Sequence, residues 1–243
     1  MVGEVFVKAR PFDFPYDGRL DPAATALLVI DMQVDFLSAD GYFARRGYDP
    51  SPLRAILPAV NRMIDAARRA GCLVVHTRQG YRADLADMTA YERWRRRRGG
   101  LDRTGALVRS SPGFEIVPEI RLAPTDVVVD KTANGAFTHT DLEHVLRAKG
   151  VTHLFFTGCT TDVCVHSTLR EAGDRNFQCC LIEDACASGD AYAHEAAVHM
   201  VTVEDGVFGV VAKSDAVIAA LDALARMLSN AAASPGDDAS GQL

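Results

Sequence analysis

The stretch THLFFTGCTTDVCVHSTLREAGDRNFQCCLIED, residues 152–184, decides the fold. It opens on a short apolar run, 152–158, which predicts a strand buried on both faces. Residues 162–173 then show helical spacing and stop near Gly173. QCCLIED, 178–184, is a second apolar run of strand length. Strand, helix and strand in so short a segment form a βαβ unit, the building block of a parallel sheet.

The alternation continues outward. ALLVID (26–31), CLVVHT (72–77) and DVVVDK (126–131) predict further strands. Residues 53–70, 139–150, 191–203 and 214–228 predict helices. No internal repeat is present. The pattern implies an α/β fold: a single-domain, doubly wound, Rossmann-like parallel β-sheet with helices on both faces. Residues 1–24, interrupted by Pro11, Pro15 and Pro22, are expected as an N-terminal arm packed along a domain spanning 25–228. The polar, Arg-rich segment 78–113 is expected as a functional insert, and the aperiodic tail 229–243 as disordered.

Composition narrows the function classes. The chain has 243 residues, 48% of them hydrophobic and 24% charged, which is enough for a sizeable core. No apolar run approaches the ~20 residues that cross a bilayer, and the start lacks a secretory signal pattern. No membrane partner and a cytoplasmic location are expected. The net charge of −6 argues against a dedicated nucleic-acid binder. The run ERWRRRRGG nevertheless leaves a nucleic-acid patch, a solvated loop, a subunit contact and a lid open. Six cysteines fit reduced thiols better than a disulfide framework.

In doubly wound sheets ligands bind beyond the carboxyl ends of the strands. That rule selects Asp31 after 26–31, Lys131 at the end of 126–131, and Cys164 in the first turn of the helix after 152–158. Each has a plain alternative: a turn residue, a solvated strand end, an inert buried thiol. Together they place an acid, a cation and a thiol in one crevice. A helix N-terminus and a nearby ammonium would lower the thiol pKa. A carboxylate could move its proton, and free N–H groups of the turn could hold an oxyanion. Cys72, Cys179 and Cys180 fit core packing, and Cys186 stays ambiguous. Cys159, Cys164 and His166 match no common zinc spacing. Walker A, G-x-G-x-x-G and G-x-S-x-G sequences are missing, so nucleotide and serine-hydrolase readings lack an anchor.

ALLVIDMQVDF, VVVDKTANGAF and TGCTTDVCVHSTLREAGDRNF resemble the isochorismatase-like cysteine hydrolase superfamily over about residues 24–225. The resemblance implies a catalytic triad of Asp31, Lys131 and Cys164. It also implies a cis peptide at Cys159–Thr160 and an oxyanion hole from the N–H groups of Thr160 and Cys164. Nicotinamidase-like members carry an Asp-and-His metal cluster after the second strand, whereas HTRQGYRADLADM offers only His76. No metal and no cofactor are therefore expected. Isochorismatase itself acts on an ether without needing the nucleophile, so Cys164 favours amide chemistry.

FDFPYDGRLDP, DGYFARRGYD, ERWRRRR and EDGVFG resemble the biuret and triuret hydrolase group more closely. This implies cleavage of a terminal C–N bond in a small linear ureide, with release of ammonia. Ureidoacrylate or N-carbamoyl amino acid amidohydrolase activity is the alternative, and a catalytically silent binding protein on the same fold is a second. Biuret hydrolases align a Gln where this chain has Glu204, which favours triuret or another ureide with N–H groups at its far end, unless Glu204 simply faces solvent. Phe36 is expected as an apolar wall, and Arg78 and Arg82 as contacts to substrate carbonyls, with structural salt bridges as their alternative. The resemblance also implies a homodimer or homotetramer.

Overall fold

The computed structural model describes residues 4–98, 100 and 105–233. Seven strands form one sheet: β1 (Ala9–Arg10), β2 (Thr25–Ile30), β3 (Leu73–Gln79), β4 (Val127–Lys131), β5 (His153–Cys159), β6 (Gln178–Ala187) and β7 (Val210–Ala212). Their order is β1-β7-β6-β5-β2-β3-β4. All pairings are parallel except that of β1 with β7. The chain winds from β2 outward through β3 and β4, returns to β5 on the other side of β2, and winds outward again. The switch point therefore lies between β2 and β5.

β2 is central, and all six of its residues are buried. Its side chains alternate between two cores. Leu27 and Val29 join one face with Val60, Met63 and Ile64 of α4 (Leu57–Ala70) and with Val217, Leu221 and Leu224 of the C-terminal helix, Ser214–Ala233. Ala26, Leu28 and Ile30 join the other. There they meet Leu142 and Leu146 of α6 (Leu142–Ala148), Leu169 of α7 (His166–Gly173) and Val198 of α8 (Ala191–Val201). Shorter helices include α1 (Val34–Leu37), α2 (Tyr42–Arg45), α3 (Ser51–Ala55) and α5 (Ala90–Arg98).

The helix expected over 53–70 is two helices broken at Ile56. Pro58 stands in the first turn of α4, where its missing N–H costs nothing, but it cannot continue a preceding helix. The Arg-rich run is α5 rather than a loop. Arg96 is buried beneath the rings of Tyr81 and Tyr42 and donates to the Ala106 carbonyl. The C-terminal helix continues to Ala233, so residues 229–233 are not an aperiodic tail; 234–243 lie outside the described residues.

The N-terminal arm does more than pack along the sheet. Its β1 supplies the antiparallel edge on β7, and Phe14, 2% exposed, seats its ring 5.4 Å from Phe155 and 5.6 Å from His153. Phe14→Ala should cost about 3–5 kcal/mol of unfolding free energy, the usual loss for a buried Phe. Urea denaturation measures it; a loss under about 1 kcal/mol would show that the arm is not part of the folding unit.

Candidate active site

Asp31 follows β2, Lys131 ends β4, and Thr160 follows β5, so three strand ends open onto one crevice at the switch point. β5 reaches it through Gly158, whose φ of +109° and close approach to the Ile30 carbonyl leave no room for a Cβ. The Cys159–Thr160 peptide is cis. A five-residue π-helical turn, Thr161–Val165, then leads into α7 and carries Cys164. Thr161 Oγ1 and His194 Nδ1, 2.8 Å apart, tie this turn to α8.

Asp31 and Lys131 are fully buried, and their Oδ2–Nζ distance is 2.8 Å. Asp31 lies in the left-handed region with φ of 51°. Thr77 holds it there by donating from Oγ1 to Oδ1 at 2.6 Å and taking the backbone N–H at 3.2 Å. The Lys131 ammonium also donates to Gln79 Oε1 at 2.6 Å and to the carbonyls of Ala133 and Asn134 at 3.1 and 3.0 Å. Burial works to lower its pKa. The charge of Asp31 beside it works the other way and prevails, and the net shift is upward, so the ammonium stays charged.

The Cys164 thiol lies close enough to Asp31 and Lys131 for both to act on its ionisation, and the residue is 5% exposed. Burial pushes its pKa up to about 12, with Lys131 opposing the rise and Asp31 adding to it. The shift runs opposite to the lowered thiol pKa expected from helix end and cation, because burial outweighs the Lys131 charge. Cys164 therefore rests as a neutral thiol beside a carboxylate that can take its proton. The other five cysteines are free and buried. Cys159 donates from Sγ to the Asp31 carbonyl at 3.2 Å.

Cys164 sits at the floor of a cavity of about 750 Å³, with Thr160, Gln79, Thr132, Ala133 and Asn134 beside it. One wall comes from α1, α2 and the following turn: Phe36, Tyr42, Phe43, Arg46 and Tyr48. A second comes from the 78–113 segment: Tyr81, Thr89, Tyr91, Glu92, Arg95 and Leu107. Asp35, 1% exposed, pins the two together by accepting from the N–H groups of Tyr42 and Leu107. Among the described residues no cluster of three or more His, Cys, Asp or Glu could hold a metal.

The structure thus brings Asp31, Lys131, Cys164, Thr160 and Phe36 together, and leaves three expected contacts outside. Arg78 is held in the β3–β4 pair by both Asp130 oxygens and by Glu115, with its guanidinium 4.4 Å from the Phe114 ring centre. Arg82 is exposed and paired with Asp84. Glu204 is exposed in the turn that enters β7 at its amino end, the opposite edge of the sheet from the crevice. Conversely, Thr77, Gln79 and Asn134 were not anticipated. Thr77 and Gln79 lie two apart at the end of β3, the strand-end signal that also marked Lys131.

Comparison with known proteins agrees with this geometry. The isochorismatase domain profile matches residues 25–216. The ureidoacrylate amidohydrolase RutB of Variovorax paradoxus is 34% identical over 192 residues, covering 75% of this chain and 76% of that protein. RutB of Methylobacterium radiotolerans is 34% identical over 208 residues, covering 81% and 78%. A cysteine hydrolase from Pseudomonas syringae superposes with a TM-score of 0.74 at 25% identity, covering 84% of this chain and 95% of that one. N-carbamoylsarcosine amidase from Thermoplasma acidophilum superposes with a TM-score of 0.61 at 26% identity, covering 79% and 96%. Three of these four relatives are named ureidoacrylate amidohydrolase or N-carbamoylsarcosine amidase, names that go with the alternative drawn from the motifs rather than with biuret or triuret hydrolase. With most of its length matched, the chain belongs to the isochorismatase family, among the hydrolases that act on C–N bonds other than peptide bonds.

Proposed function

We propose that this chain is a cysteine amidohydrolase that cleaves the ureido C–N bond of a small ureido acid. The observation that carries the reading is the buried Asp31–Lys131 pair beside the Cys164 thiol at the floor of a cavity. The names of the relatives favour a ureido acid over a neutral linear ureide such as biuret or triuret.

In the first half-reaction Asp31 takes the Sγ proton as Cys164 attacks the ureido carbonyl carbon. The oxyanion is placed on the N–H groups of Thr160 and Cys164. The C–N bond then breaks, Asp31 returns the proton to the departing nitrogen, and ammonia leaves. In the second half-reaction Asp31 removes a proton from water as the oxygen attacks the carbonyl of the Cys164 S-thiocarbamate. The C–S bond breaks, the thiol regains its proton, and a carbamate is released. Lys131 stays protonated throughout and keeps Asp31 aimed at Sγ. Phe36 forms an apolar wall of the cavity that holds Cys164.

Two outcomes follow. Cys164→Ser and Cys164→Ala should each lower kcat for ammonia release by at least about 1,000-fold. Near-wild-type release would end the covalent scheme, and a wild-type protein inert toward every ureide would favour the silent binding protein. Lys131→Met strands a buried carboxylate and should cost about 3–5 kcal/mol of stability as well as activity. The double substitution Asp31→Asn with Lys131→Met should recover much of the stability, read by urea denaturation, and none of the activity. Recovery of turnover in the double variant would show that the pair is structural only.

A further inference from the structure

Four of the chain's six tyrosines, Tyr42, Tyr48, Tyr81 and Tyr91, line the cavity above Cys164. Phe36 and Phe43 join them. The rings come from separate segments, so their meeting is not a by-product of one helix face. Phe43 and Tyr48 stack at 4.9 Å with planes 16° apart, and Phe36 meets Tyr42 edge-on at 6.1 Å. Such an array accepts a further ring by the same offset and edge-to-face contacts.

Arg46 stands one helical turn beyond Tyr42 and lines the same cavity. Among the described residues its guanidinium has no hydrogen-bond or ion-pair partner. Of the other charged side chains there, Glu92, Arg95 and Asp190 have hydrogen-bond partners, and Asp162 has none among the described residues. Arg95 forms two hydrogen bonds to the carboxylate of Glu92. Asp190 accepts the N–H groups of Tyr192 and Ala193 at the start of α8. Asp162 lies in a first helical turn, where the dipole favours an anion. Arg46 is the cation left without an anion, and a planar guanidinium suits a carboxylate. The volume of about 750 Å³ is that of a pocket for a drug-sized ligand, well beyond what a ureido acid with a two-carbon bridge fills.

We infer that the substrate is an N-carbamoyl acid bearing an aromatic ring, with its carboxylate on Arg46, its ring among the tyrosines and its ureido carbon over Cys164. The inference rests on the cysteine amidohydrolase reading and names its substrate class.

Ammonia release is measured for N-carbamoylphenylalanine (both enantiomers), N-carbamoylglycine, phenethylurea, 3-ureidoacrylate, biuret and triuret. One enantiomer of N-carbamoylphenylalanine should exceed each of the others in kcat/KM by at least about 10-fold. Its ratio to phenethylurea, which keeps the ring and lacks the carboxylate, should be about 10–100, the range for a hydrogen bond to a charged group. Arg46→Met should bring that ratio close to one, mainly through KM, and Arg46→Lys should keep it above the Met variant. Faster turnover of the small acid or the neutral ureides, or a ratio that survives Arg46→Met, would overturn the substrate class and leave the amidohydrolase reading standing. No turnover of any compound would overturn both.

Discussion

Everything at the strand ends is arranged around one buried ion pair, Lys131 and Asp31. Removing both charges from water is costly, and the pair persists because each charge is fully answered. The ammonium meets a carboxylate oxygen, the Gln79 amide oxygen and two backbone carbonyls. The second carboxylate oxygen meets the Thr77 hydroxyl. Gln79 and Thr77 sit on β3, between the strand that ends at Asp31 and the strand that ends at Lys131. The sheet order is therefore what lets an acid and a base from positions 100 residues apart share one proton-handling unit.

The same burial sets the state of the thiol. A solvated cysteine at a helix start beside an ammonium would be expected as thiolate. Here desolvation outweighs the cation, and Cys164 keeps its proton until a carboxylate takes it. In the proposed scheme the nucleophile is generated only as substrate arrives, which gives Asp31 a role beside Lys131. Above the thiol the cavity is lined by aromatic rings and the Arg46 guanidinium, so the proposed chemistry and the proposed selectivity fall on different elements: strand ends below, α1–α2 and the 78–113 segment above.

Much of this was legible in the sequence because the rule for doubly wound sheets needs only strand positions. Continuous apolar runs located β2, β3, β4, β5 and β6 to within a few residues, and their carboxyl ends named Asp31, Lys131 and Cys164. β1 and β7 escaped because strands of two and three residues carry no periodicity. Missing β7 also left the direction of the chain at Glu204 unknown, and the turn it occupies faces the wrong edge of the sheet. Arg78 misled because its partner Asp130 comes from the adjacent strand, a pairing fixed by register and invisible to spacing. The thiol's upward shift depends on burial, which a linear sequence does not specify. The aromatic walls assemble residues from segments as distant as Phe36 and Tyr91.

In the proposed mechanism Cys164 carries the acyl group between two half-reactions, with Asp31 moving the proton in each. Rapid acid quench of wild-type protein with a turned-over ureido acid, followed by intact-mass and peptide mapping, tests it most directly. The account predicts an adduct on Cys164 with the mass of the substrate less ammonia, present before steady state and missing in Cys164→Ala. Full turnover with Cys164 unmodified at every quench time would contradict it.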